Sequence, residues 1–284
     1  MIVAMNTSAA TLLLAPRINE TGLQLRTAAG RRGMRAFTAS SWRAPRELTN
    51  RQVHLYGGPL FADAVGGALG LGLLEPSPAW LAMLPRELTG RDVELTTLAA
   101  ARRLSRPAFV KAPADKHFAA RVYGDGSELP GPELLDGNVP VLVSEVVRFA
   151  VEYRLFVLDG AVRAASRYAR DGELSIAAPE SDAPESDGPE SDGPESDGPE
   201  LSAFAAQVLA ASAECAPLPS AAVVDVGRTP GGWAVVEANA AWASGGYACE
   251  PDAVLDVVLR AAGPLGRLPD SDRAFLRELP RVEG

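Results

Sequence analysis

Lys111 and Lys116 are the only lysines among 27 basic residues, and they lie five positions apart. In a chain so weighted toward arginine, a lysine points to a place that needs a compact ammonium rather than a planar fork, as when a point charge meets a phosphate oxygen. Chance clustering on a surface strand is the alternative. Lys111 follows the apolar run Ala108-Phe109-Val110, which sets it at a strand end facing inward. His117, beside the pair, reads as a loop residue rather than a catalyst.

Asp225, Glu237 and Asn239, in the runs VVDVG and VVEAN, form a second set. If these strands pair across the turn Arg228 to Gly231, Asp225 and Glu237 stand opposite each other, and Glu237 and Asn239 project on one face. Two carboxylates and an amide oxygen there make a hard-oxygen site of the kind that suits Mg²⁺ held together with nucleotide phosphates. Either acid alone reads as a polar residue at an exposed strand end. Each follows two valines, however, and burying such carboxylates unpaired is costly. A third set, in VLVSEVV and EYRLFV, is Glu145, Glu152 and Arg154 on consecutive strands. Glu152 and Arg154 share a face, as a salt bridge or with Arg154 as a phosphate clamp. Arg167, on the returning strand AASRYAR, is placed to reach the same site.

The apolar pattern predicts the elements that must hold these groups. TLLLAPR from Thr11 reads as a buried strand, Glu20 to Arg32 as a helix ending at Gly33, and Met34 to Ala39 and VHLYGG from Val53 as further strands. Short links between them imply a parallel α/β layer. Helices are expected at Pro59 to Leu69, Pro78 to Leu84 and Leu95 to Leu104, the last before the strand Ala108 to Lys111. Beyond it AARVYG, VPVLVSEVV, EYRLFVLDG and AVRAASRYAR predict an antiparallel sheet, with LDGA as a hairpin turn. A helix from Leu201 to Ala213, the AAVVDVG and GWAVVEAN strands and a helix from Asp252 to Ala262 complete an α+β second half.

The chain has 284 residues, ample for a self-supporting core, and no apolar stretch suited to spanning a membrane. Met1 to Pro16 lacks the basic start of a secretion signal, and two cysteines, Cys215 and Cys249, are too few for a disulfide framework. A cytoplasmic protein with reduced thiols is expected. The net charge of −9 resides in one insertion: PESDAPESDGPESDGPESDGPE, from Pro179 to Glu200, carries nine carboxylates and no base. Without them 27 acids face 27 lysines and arginines, so the body is neutral and gives no support to nucleic-acid binding. The repeat has nothing apolar to offset its ordering entropy and is expected to be a disordered acidic loop, 179–200.

Taken in order, these features resemble the ATP-grasp superfamily: a lysine in FVK, the strand VLVSEVV, the acid-x-Arg strand EYR, Arg167 on the next strand, then Asp225 and the Glu-x-Asn pair. The closest similarity is to bacterial ATP-grasp proteins of the clade named for an arginine and two lysines, through LYGGPLFAD, FVKAPADKHF, VSEVVRFAVEYRLFV, DVG and VVEANAAWASGGY. The resemblance implies two α+β subdomains gripping ATP over 105–265, a small Rossmann-like α/β domain before them at 1–104, and a tail at 266–284. Lys111 and Lys116 would hold phosphates, and Ser144, Glu145, Val146 and Val147 would meet adenine at the hinge. Glu152 would bind ribose or orient Arg154. Asp225, Glu237 and Asn239 would hold Mg²⁺, while Arg154, Arg167 and Lys116 would serve the phosphoryl transfer. No Gly-rich flap follows Lys111, so Lys116 is expected to stand in for flap amides, and the acidic repeat falls roughly where related ligases carry a covering loop. The implied reaction joins a small-molecule or peptide carboxylate to an amine through an acyl phosphate, with ATP and Mg²⁺ and with no nucleic acid or membrane partner. A phosphotransferase and a nucleotide-binding module without turnover are the alternatives. WASGGY, Trp242 to Tyr247, reads as a wall for the acceptor or as a glycine turn over a packed aromatic. The oligomeric state stays open, a homodimer included.

Overall fold

The N-terminal apolar run becomes the centre of a small parallel sheet. In the computed structural model, which describes residues 10–113, 117–178 and 198–280, strand β1 (Thr11–Leu14) is buried throughout. Helix α1 (Glu20–Arg31) follows, its first turn capped by the Asn19 side chain, which accepts from the Gly22 amide at 2.8 Å. Strands β2 (Arg35–Thr38) and β3 (Val53–Tyr56) flank β1, both parallel to it. Helix α2 (Pro59–Val65) stops short of the expected Leu69 because Gly66 and Gly67 follow it. Strand β4 (Leu71–Leu73) comes next, then two single-turn helices, α3 (Trp80–Met83) and α4 (Arg86–Thr89).

The helix expected over Leu95 to Leu104 is corrected by the structure. Its first residues belong to strand β5 (Val93–Thr97), and only α5 (Leu98–Ala101) is helical, with Thr97 as its cap. Local propensity favours a helix in this alanine-rich stretch, but antiparallel pairing with strand β8 captures the β-branched Thr96 and Thr97. Strands β6 (Ala108–Lys111), β7 (Arg121–Tyr123) and β8 (Pro140–Ser144) complete an antiparallel sheet ordered β5-β8-β6-β7. β5 thus lies before the expected boundary at 104 yet shares a sheet with the strand that carries Lys111.

The long strands β9 (Val151–Leu158) and β10 (Ala161–Arg170) form the expected hairpin. Asp159 and Gly160 both take left-handed φ, 50° and 73°, as a two-residue primed turn requires. A second such turn, Asp171 and Gly172, leads to β11 (Glu173–Ala177), a strand the sequence reading does not anticipate. Helix α6 (Gly198–Cys215) begins within the last residues of the acidic repeat; the remainder of the expected loop, 179–197, lies outside the described residues. Strands β12 (Ala221–Thr229) and β13 (Gly232–Asn239), helix α7 (Pro251–Ala261) and strand β14 (Ala262–Pro264), which pairs with β4, finish the fold.

The second antiparallel sheet has the order β11-β10-β9-β12-β13, and its faces differ in function. One face carries Tyr153, Leu155, Val157, Val224, Val226 and Val235 under α6 and Trp80. The other carries Phe156, Ala164, Ala221 and Val223 against α7, Trp242 and the N-terminal sheet. Each large side chain buried in these layers contributes roughly 1.5–3 kcal/mol. Along the second face the apolar rows end in polar residues, and there the candidate chemistry lies.

Candidate functional site

Register places the key groups side by side. In β12, Asp225 is paired with Glu237 of β13 on one side and Arg154 of β9 on the other, while Val223 opposes Asn239. Because side chains alternate with period two, Arg154, Asp225, Glu237 and Asn239 emerge on the same face. A bulge between Asp225 and Val226 ends the regular pairing next to this row. Arg91, ahead of β5, fixes the far edge: its buried guanidinium donates to the carbonyls of Val235 and Val236 at 2.8 and 3.2 Å, anchoring the backbone beside Glu237.

Asp225 is fully buried and accepts two hydrogen bonds from Arg154, Nε to Oδ1 at 2.9 Å and Nη2 to Oδ2 at 2.6 Å. Complete burial pushes the Asp225 carboxyl up, and the guanidinium pulls against that push. Burial likewise opposes the Arg154 charge, but Asp225 outweighs it and holds the guanidinium ionised well above its ordinary range. Glu237 pairs with the ammonium of Lys111, which arrives from the four-stranded sheet. Burial opposes ionisation of Glu237, yet Lys111 and Asn239 hold its carboxyl below the usual range. The Asn239 amide donates to Glu237 Oε1 at 2.8 Å and lies 3.5 Å from Asp225 Oδ2, tying the two ion pairs into one cluster.

Aromatic groups enclose Arg154. The Tyr168 and Tyr247 rings stack 5.4 Å apart, and the guanidinium carbon lies 5.4 and 5.1 Å from their centroids. Tyr247 adopts a left-handed φ of 51°, an uncommon conformation for a bulky residue, and its loop is held on three sides. Gly245 accepts from Arg154 Nη1 at 3.3 Å, the Gly246 amide donates to Thr21 at 2.8 Å, and the Ala248 amide donates to Ser166 at 3.1 Å. The sequence reading takes Tyr247 only as the end of the WASGGY segment, a wall for the acceptor or a glycine turn over a packed aromatic, and does not single out Tyr168; the structure sets both rings against Arg154.

The other expected site residues are distributed as follows. Glu152 accepts a 2.5 Å hydrogen bond from Tyr168 instead of bridging to Arg154, whose carboxylate partner is Asp225. Arg167 is not brought to the cluster: it pairs with Tyr153, which lines the opposite core, and its Nε donates to Ser175 on the edge strand. Ser144 ends β8, and Glu145, Val146 and Val147 begin the connector from the four-stranded to the five-stranded sheet. Glu145 accepts from the Asp92 amide at 3.0 Å and Val146 is exposed. Lys116 lies outside the described residues. Trp242 is packed beneath its turn, donating to Leu74 at 2.9 Å, while Ala240, Ala243 and Ser244 line a cavity of about 600 Å³ that Asn239 also borders. A larger cavity, about 980 Å³, lies under α6 on the opposite sheet face, and none of its lining residues, which include Leu155, Ala165, Leu201 and Leu209, is ionisable.

The donor set fits a divalent cation shared with phosphate oxygens: two carboxylates paired across neighbouring strands and an amide within hydrogen-bond reach of both, all able to offer hard oxygens. Among the described residues there is no cluster of three or more His, Cys, Asp or Glu side chains that could hold a metal ion. Both acids already face a cation, which compensates their charge within the sheet. Burial pushes the Cys249 thiol up to about 12, which makes it unsuited to nucleophilic work.

Residues 88–257 match an ATP-grasp domain family, the second family of the clade named for an arginine and two lysines. A comparison with curated proteins finds no match. Among solved structures, a RimK-domain ATP-grasp protein from Sphaerobacter thermophilus is similar at 17% identity and a TM-score of 0.50, covering 88% of this chain and all of its own. The D-alanine–D-alanine ligase of Bacillus anthracis (12% identity, TM-score 0.46, 89% and 98% coverage) and the D-cycloserine synthetase DcsG (17%, 0.48, 87% and 98%) are also similar. The family match covers more than half of the chain, and with the arrangement of the two sheets it leads to one statement of kinship: the protein belongs to the ATP-grasp domain family.

Proposed function

We propose that the protein is an ATP-dependent carboxylate–amine ligase that passes through an acyl phosphate. The observation that carries this reading is the meeting of Lys111, from one sheet, with Glu237, Asp225 and Asn239 from the other, beside the enclosed Arg154. A triphosphate entering between the sheets gives Lys111 a second anionic partner and frees Glu237. Mg²⁺ held by Glu237, Asp225 and Asn239 would neutralise charge on the transferring phosphoryl group. Lys111, with Lys116 as its proposed companion, holds phosphate oxygens. Arg154, kept rigid by Asp225 and two tyrosine rings, presents fixed positive charge where negative charge develops.

The chemistry balances without a protein nucleophile. A carboxylate oxygen of the substrate attacks the γ-phosphorus and ADP leaves. The amine nitrogen then attacks the acyl carbon, inorganic phosphate leaves, and the amine gives up a proton. We further propose that Ser144 to Val147 meets the adenine, since this connector joins the four-stranded to the five-stranded sheet. Glu152 acts through Tyr168 to hold the aromatic wall of Arg154.

Incubation with ATP, Mg²⁺ and pooled carboxylic and amino acids, read by mass spectrometry, tests the proposal. ADP is expected together with a product whose mass is that of acid plus amine less one water, and added hydroxylamine should divert the acyl group to a hydroxamate. A phosphorylated product that persists, or no ADP from any pool, contradicts the ligase reading.

A further inference from the structure

In the small parallel sheet β1 stands at the centre, and the chain leaves it for β2 on one side before crossing to β3 on the other. Open α/β sheets bind ligands outside the carboxyl ends of their strands, at the point where the strand order reverses in this way. A crevice of about 140 Å³ lies there, walled by Leu14 and Ala15 from β1 and by Tyr56, Gly57 and Gly58 from the end of β3. Arg17 lines it as well; its side chain is exposed and has no hydrogen bond or ion pair among the described residues. The neighbouring polar side chains are already engaged. Asn19 accepts from the Gly22 amide and donates to the Tyr56 hydroxyl at 3.4 Å, and that hydroxyl donates to the Ser244 carbonyl at 3.1 Å. None of the described lining residues carries a carboxylate, so Arg17 gives the crevice its one formal charge.

The crevice adjoins the candidate site. Ala243 lines both the crevice and the cavity that Asn239 borders, and the Gly58-Pro59 step separates the two. The Gly57 amide donates to the Trp242 carbonyl at 3.0 Å, and Tyr56 lies within electrostatic reach of Arg154. We propose that Arg17 and this crevice seat a carboxylate that is not consumed in the reaction, so that one substrate keeps a free carboxylate besides its reacting group. A planar guanidinium matches a carboxylate with two parallel hydrogen bonds, and Arg17 has that fork to offer. The volume is well below the roughly 300–1,000 Å³ of sites that enclose a whole ligand, so it suits one end of a molecule whose remainder fills the larger cavity. An anion at Arg17 lies across Ala243 and Gly58-Pro59 from the cavity beside Asn239, which sets it apart from the carboxylate that meets the phosphoryl group. This inference deepens the ligase reading by naming a feature of its substrate, and it rests on that reading for the link to a reacting group.

The test uses acetate and acetamide, close in shape and different in charge, titrated near neutral pH into the full ¹⁵N-labelled chain while the Gly57 and Gly58 amide signals are followed by NMR. Acetate is expected to shift both signals saturably and acetamide to bind at least about ten-fold more weakly, from the hydrogen bonds to a charged group at stake. Arg17→Gln should weaken acetate by about ten-fold, and Arg17→Lys, which keeps the charge without the fork, should recover only part of that loss. AMP-PNP affinity should be unchanged in both variants. Equal shifts from the two probes, no saturable shift from either, acetate affinity unmoved in Arg17→Gln, or a matching loss of AMP-PNP affinity overturns the proposal. Failure of the ligase reading would show separately, as no ADP formed from any substrate pool while acetate still binds at Gly57 and Gly58 in the nucleotide-free protein.

Discussion

Glu237→Gln is expected to lower product formation roughly 100- to 1,000-fold, the scale of losing one preorganised electrostatic group at a reacting centre. The substitution is nearly isosteric and keeps an acceptor for the Asn239 amide, so the strand pairing beside Asp225 should persist. What it removes is one of two negative charges and the counter-ion of Lys111. These losses act on nucleotide in opposite senses. Without metal, the released ammonium is free for phosphate and AMP-PNP should bind more tightly than to the wild type. With Mg²⁺, the missing carboxylate should make it bind more weakly. Titrations in chelator and in Mg²⁺ check the crossover. Unchanged turnover would remove Glu237 from the chemistry, and a parallel change under both conditions would remove it from the metal.

Arg154→Leu is expected to produce the largest loss of stability of any single change at the site. Removing one partner of a buried, doubly hydrogen-bonded pair leaves an uncompensated charge and costs about 3–5 kcal/mol, a fall in Tm of roughly 6–20 °C. The deficit should depend on pH. Once Arg154 is absent, burial and the nearby Glu237 carboxylate push the Asp225 carboxyl up with only Lys111 left to oppose them, so it rises further above its value in the unfolded chain. A group whose folded pKa is raised favours the folded state only while protonated, so the variant should lose stability as pH rises from 5 to 8. Urea denaturation at the two pH values checks the sign. Arg154→Leu with Asp225→Leu should recover most of the stability, since an apolar replacement of both partners leaves nothing unpaired. It should remain inactive, which separates the chemical purpose of the pair from its part in folding.

The strongest local signals in the sequence are those with short-range geometry. Asp159-Gly160 announces its turn because both positions need left-handed φ, and the alternation in VVDVG and VVEAN sets Asp225 against Glu237 once the hairpin forms. The same turn signal stands at Asp171-Gly172, yet β11 escapes notice. Its apolar residues Leu174 and Ile176 are 71% and 46% exposed, so the strand lacks the buried face that periodicity detects. The stretch from Leu95 misleads for another reason: alanine and leucine favour a helix locally, while pairing with β8 is decided by residues some 45 positions away.

Long-range partnerships account for the remainder. The scarcity of lysine draws attention to Lys111, but its contact with Glu237 spans 126 positions. Arg91 reaches Val235 across 144, and Arg277 reaches Asp63 across 214. In each case the arginine is one among 25 in the sequence, with nothing nearby to mark it. Alternation places Glu152 and Arg154 on one face, but which acid the guanidinium takes depends on strand order, and only the neighbouring β12 offers two oxygens in register.

A crystal structure of the protein with AMP-PNP and Mg²⁺ probes the central claim most directly. The account predicts the triphosphate between the two sheets, the ion at about 2.1 Å from carboxylate oxygens of Glu237 and Asp225, and the Lys111 ammonium transferred from Glu237 to a phosphate oxygen. A nucleotide bound elsewhere, or Lys111 still paired with Glu237 beneath a bound triphosphate, would contradict it.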